Sequence, residues 1–134
     1  MSDTVADGNY AIEAVNASRL LTDSDGLLVA AVSRDAPSAE QTWTLSNLAD
    51  GSFTLRCVGT SNYLSLGTRQ GMYYPIGGEP EAWRIDVVPG RGKALVRATG
   101  NRLWLCGLPL DPTPVFLQGV EQDVVPTHWS LSPA

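Results

Sequence analysis

Histidine occurs once in this chain, at His128, and cysteine twice, at Cys57 and Cys106. With so few of either, a zinc site or a disulfide framework is not expected, because structural metal sites need several closely spaced thiols or imidazoles. The same scarcity leaves no Ser/His/Asp or Cys/His set, and no glycine motif of the phosphate-binding kind is present. Catalysis and a bound cofactor are therefore not expected. Basic residues are also scarce, 9 against 14 acidic, for a net charge of −5. No run of Lys or Arg could follow a phosphate backbone, so nucleic acid is excluded as a partner. No apolar stretch approaches the roughly 20 residues that cross a bilayer, which excludes membrane insertion by a helix. The opening "MSDTVADGNY" lacks the basic and apolar parts of a signal peptide, so the expected location is the cytoplasm, or outside the cell by a non-classical route.

What the chain does have is a repeated tryptophan. "QTW" at 41–43, "EAW" at 81–83 and "THW" at 127–129 divide the sequence into thirds. Each third opens on a similar stretch: "DGNYAIEAV" at 7–15, "DGSFTLRCV" at 50–58 and "RGKALVRAT" at 91–99. Internal repeats of this length specify the fold more strongly than any local motif. The alternation within each stretch predicts a strand with one face inward, made of Tyr10, Ile12 and Ala14, then Phe53, Leu55 and Cys57, then Ala94, Val96 and Ala98. In this register Cys57 stands where two alanines stand, as a small buried hydrophobe.

A second apolar stretch follows each opening strand, "RLLT" at 19–22, "NYLSL" at 62–66 and "RLWLC" at 102–106. A third comes after a variable loop, "LLVAAV" at 27–32, "GMYYPI" at 71–76 and "PVFLQG" at 114–119, and each repeat closes on its tryptophan strand. The 9 prolines and 13 glycines fall almost wholly between these segments and leave no room for a long helix. Twelve short strands in three four-strand repeats predict an all-β, single-domain β-trefoil over residues 1–134, with repeats at about 7–48, 50–89 and 91–134. Closing three such units about one axis buries the apolar face that each would expose alone. Trp43, Trp83 and Trp129 then belong to the core, and Trp104 lies outside the pattern.

The apolar second strand, the variable loop and the closing Gln-x-Trp resemble the ricin B-type trefoil lectins, in particular their small single-domain fungal members. "QTW" keeps the whole motif, while "EAW" and "THW" keep its tryptophan. The resemblance implies a non-catalytic carbohydrate-binding protein, with glycans or glycoproteins as partners and a homodimer as one form of assembly. In that family an aspartate at the end of the second strand accepts hydrogen bonds from two sugar hydroxyls, and an aromatic ring packs on the sugar's apolar face. Carried onto this sequence, the aspartate position falls on Thr22, on Ser65 and on Leu105 or Cys106. None is a carboxylate. Asp23 supplies one if the register slips by one residue, with Asp25, Ser33 and Arg34 as polar neighbours on the loops of the first repeat. In the second repeat, Tyr73 and Tyr74 are consecutive on one strand and point to opposite faces, so one ring is available for stacking.

The opening "DGNYAIEAV" and the closing "TPVFLQGVEQDVVPTHWSL" look like those lectins and are also similar to the fungal trefoil protease inhibitors, which place an extended loop in a protease active site. Arg34 in "VSRDAPS" and Arg69 in "LGTRQGM" are the two arginines placed to enter a trypsin-like specificity pocket, which makes a protease the alternative partner. A trefoil that serves only as a binding subunit for another protein is a third reading, because the fold by itself does not choose among the three.

Overall fold

The computed structural model describes residues 5–14, 19–24, 27–31, 39–69, 72–76, 80–88, 92–98, 103–107, 113–119 and 128–133, in several strands by their backbone alone. Twelve strands lie among them: β1 (Gly8–Ala14), β2 (Arg19–Ser24), β3 (Leu27–Ala31), β4 (Trp43–Asn47), β5 (Phe53–Cys57), β6 (Ser65–Arg69), β7 (Met72–Ile76), β8 (Trp83–Val88), β9 (Gly92–Arg97), β10 (Leu103–Gly107), β11 (Thr113–Gly119) and β12 (Trp129–Pro133). The helical element among the described residues is a short 3-10 turn, Ala39–Gln41, just ahead of β4. No helix among them is long and apolar enough to cross a membrane.

Strands β12, β1, β4, β5, β8 and β9 are antiparallel neighbours in that order, and β12 returns alongside β9. These six make the barrel. The remaining six form the hairpins β2–β3, β6–β7 and β10–β11. The hairpins meet: β11 pairs with β3 through Thr113 opposite Ala30 and Pro114 opposite Val29, and β7 packs against both. This is the β-trefoil expected from the repeats.

The core is built in rungs that recur around the barrel. Trp43 lies opposite Cys57, Trp83 opposite Arg97 and Trp129 opposite Ala14. On the next rung Leu45 faces Leu55, Ile85 faces Leu95 and Leu131 faces Ile12. All three tryptophans are buried. A ring of that size removes on the order of 150–250 Å² from water, about 4–6 kcal/mol each as an upper bound. The indole N–H, which would be costly to bury unpaired, finds the same partner three times. Trp43 Nε1 donates to the Leu21 carbonyl at 3.0 Å, Trp83 Nε1 to Leu64 at 2.8 Å and Trp129 Nε1 to Leu105 at 2.9 Å. Each tryptophan thus ties its barrel strand to the stretch that starts the adjoining hairpin.

The opening strands follow the predicted inward pattern in two cases. Ile12, Ala14, Phe53, Leu55 and Cys57 are buried in the core, and Tyr10 is half-buried, packing against it while its hydroxyl donates to the Ala6 carbonyl at 2.6 Å. In the third the register differs by one residue. Leu95, not Ala94 or Val96, takes the rung position of Ile12 and Leu55, and Arg97, not Ala98, takes that of Ala14 and Cys57. Ala98 is half-buried beyond the end of β9, with its N–H donated to the Ala82 carbonyl at 2.9 Å. The reason is that rungs are counted from the tryptophan: the same number of residues separates Trp43 from Cys57 and Trp83 from Arg97. The glycine turns between them do not hold that count. The second strand of the middle repeat also begins later than expected, at Ser65, and runs to Arg69.

Candidate functional site

The three indole hydrogen bonds mark Leu21, Leu64 and Leu105 as equivalent positions. The residues that follow them, Thr22, Ser65 and Cys106, are therefore the positions at which the lectin resemblance places a sugar-binding aspartate. In the third repeat the same count falls on Cys106, whose backbone pairs with Phe116. Thr22 is half-buried, and its hydroxyl donates to the Leu20 carbonyl at 3.0 Å. Ser65 is buried at the start of β6, with its backbone opposite Ile76.

One residue further along β2, Asp23 departs from expectation. An acid just before a Gly-containing turn reads by default as solvated. In the structure Asp23 is fully buried. A buried carboxylate needs hydrogen-bond donors, and Asp23 takes them from the turn after β5. The Thr60 hydroxyl donates to Asp23 Oδ2, and the Asn62 side-chain amide donates to the same oxygen at 2.9 Å. Thr60 Oγ1 in turn accepts the Asn62 backbone N–H at 3.3 Å.

That turn is itself tightly built. Ser61 holds a left-handed backbone at φ 64, uncommon for a residue other than glycine, and its N–H donates to the Cys57 carbonyl at 2.9 Å. Cys57 N–H donates to the Asn62 carbonyl at 2.7 Å and closes the loop. The turn also clasps the 3-10 segment ahead of β4. Gly59 N–H donates to the Ala39 carbonyl at 2.9 Å, Val58 N–H to the Thr42 carbonyl at 2.8 Å, and the Cys57 thiol to the Glu40 carbonyl at 3.4 Å. At Gly59 a β-carbon would stand 2.8 Å from backbone atoms of Ala39 and Glu40, so the approach is open only to glycine. Within the same 3-10 segment Gln41, the glutamine of the Gln-x-Trp, is buried, while Glu40 is exposed.

The structure thus gathers Thr22, Asp23, Glu40, Gln41, Thr60 and Asn62 around the junction of the first and second repeats. Thr60, Asn62 and Glu40 are not among the residues that sequence reasoning selects. The signal available was the polar "TSN" at 60–62, which reads as an ordinary turn. Asp25, Ser33 and Arg34 lie outside the described residues. Tyr73 and Tyr74 sit in β7 with their backbones opposite Thr68 and Gly67, and their side chains are outside the described set. Arg69 was expected in an extended loop. It instead ends β6 and pairs with Met72, so it stands at a tight hairpin. Among the described residues, no three His, Cys, Asp or Glu side chains are grouped so as to hold a metal ion.

The closed barrel, the three meeting hairpins and the thrice-repeated tryptophan clasp define a β-trefoil. A ricin B-like lectin of Macrolepiota procera, solved in complex with lactose, superposes with a TM-score of 0.77 over 98% of this chain and 100% of that one, at 21% identity. The Rhizoctonia solani agglutinin matches at 0.78 over the whole of both chains with 18% identity. The designed threefold symmetric protein ThreeFoil matches at 0.71 over 96% of this chain and 100% of its own, with 22% identity. No protein-family model and no curated protein matches the sequence.

Proposed function

We propose that this protein is a non-catalytic carbohydrate-binding protein of the ricin B-like kind, with glycans or glycoproteins as its partners. The observation that carries this reading is full-length agreement in architecture with two fungal proteins, a lectin solved with lactose and an agglutinin. The principal site lies in the first repeat, where Thr22 and the loop residues Asp25, Ser33 and Arg34 meet the sugar and Asp23 supports them from within. Ser65 and the outward-facing one of Tyr73 and Tyr74 form a second, weaker site. Hydrogen bonds from sugar hydroxyls to a carboxylate, and from a guanidinium to the sugar, fall at the upper end of the usual range, about 1–3 kcal/mol each. A shallow site of this kind holds a monosaccharide weakly and gains strength through several sites acting together.

The test is a glycan array on the purified protein, run beside inhibition assays on trypsin and a papain-type protease. The expected result is glycan signal that Asp25→Ala and Arg34→Ala each reduce, with no effect on either protease. Protease inhibition without glycan binding would replace this reading with the inhibitor one, for which no described feature speaks.

A further inference from the structure

The carboxylate of Asp23 is not required by the trefoil itself. Counting from the indole-bonded leucines, its counterparts are Leu66 in the second repeat and Gly107 in the third, so the fold places no acid at those two positions. A buried charge is costly even when paired, and a well-packed apolar residue is often the more stable choice. Its presence in one repeat alone calls for a role peculiar to that repeat. Both named donors come from the next repeat, Thr60 and Asn62, 37 and 39 residues further along the chain. The turn that carries them is fastened to the Ala39–Thr42 segment as well. One rigid turn therefore holds the end of β2 and the approach to β4 at a fixed separation, and between those two points the first repeat carries its variable loops.

We propose that the turn 58–62 of the second repeat is the positioning device of the first repeat's binding site, with Thr60 and Asn62 acting through Asp23 to fix the β2–β3 hairpin. This rests on the lectin reading given above and adds to it that the site is built across two repeats. Asp23 touches no sugar. Its hydrogen bonds fix the end of β2 next to Thr22, and a displacement of about 1 Å there is enough to weaken a preorganised site severely.

Two readouts on Thr60→Val, which keeps the shape and removes the hydroxyl, and Thr60→Ser, which restores it, test the proposal. The first is affinity for the best ligand on the array, measured well below the melting transition of each variant so that only folded protein is compared. Thr60→Val is expected to lose about tenfold, the equivalent of one hydrogen bond to a charged group, and Thr60→Ser to recover it. The second is amide hydrogen exchange in β2 and β3, which needs no ligand. Exchange there should rise by a similar factor in Thr60→Val relative to Thr60→Ser, while β8 and β9 stay unchanged. Parental affinity in folded Thr60→Val, or unchanged exchange in β2 and β3, overturns the proposal. A parent protein that binds no glycan overturns the lectin reading, and the exchange result then decides the brace alone.

Discussion

At the scale of the residue, each repeat tryptophan does two jobs at once. The ring fills the barrel and the N–H satisfies a carbonyl at the edge of a hairpin, so the two contributions separate by mutation. Trp83→Ala removes both and is expected to cost roughly 3–5 kcal/mol in denaturant unfolding, as for other buried large aromatics. Trp83→Phe keeps much of the packing but leaves the Leu64 carbonyl unpaired, for a loss of about 1–3 kcal/mol. Equal losses in the two variants would show that packing contributes little here. The tryptophans were legible in the sequence because a large residue at a fixed interval needs no knowledge of its neighbours. Asp23 was not. Its burial follows from Thr60 and Asn62, which no local pattern connects to it, and an acid beside a glycine turn reads by default as solvated.

At the scale of the element, the turn 58–62 shows how closely one loop can be specified. Gly59 lies against the backbone of Ala39 and Glu40, which cannot retreat as a flexible side chain would. Gly59→Ala is accordingly expected to destabilise the protein by about 1–3 kcal/mol, the range for overpacking, when measured by thermal unfolding. A crystal structure of the variant would show the turn displaced from the 3-10 segment; unchanged stability would mean that the close approach is relieved at no cost. Strand β9 shows the limit of pattern reading at this scale. Ala94, Leu95 and Val96 are all buried, although consecutive residues of a strand point to opposite faces. With both faces covered the alternation disappears, and a glycine turn was the only landmark left in the sequence. The spacing from Trp83 carries the register instead.

At the scale of the whole molecule, two aspartates hold the loops beyond the β4–β5 end of the barrel. Asp7 Oδ1 accepts the Asn47 backbone N–H at 3.0 Å and its side-chain amide at 2.7 Å, which keeps the Asp7 carboxyl below its ordinary value. Asp50 is held low by the Ser52 hydroxyl first and the Ser52 backbone N–H second, with Arg84 3.7 Å away adding a smaller effect. Both groups bind a proton less readily in the folded than in the unfolded chain. Their stabilising contribution is therefore complete above the unfolded value of 3.8 and is lost as pH falls from there through the lower native values. The melting temperature should decline on that acid limb. In the Asp7→Asn, Asp50→Asn double variant the decline should be shallower, starting from a lower melting temperature at neutral pH. An acid limb of parental slope in the double variant would assign the decline to other carboxyls.

The pairing of β1 with β12 has a consequence for how such a chain can be wired. Tyr10 lies opposite Pro133 and Ile12 opposite Leu131, the same rung that Leu45 and Leu55 make across a turn. The two ends of the described chain therefore meet at a place which, elsewhere in the ring, the backbone crosses without interruption. Joining them by a short linker and opening the β8–β9 connection would give a circular permutant with every rung intact. To a closed ring of this kind, the point at which the polymer begins is a matter of synthesis and not of architecture.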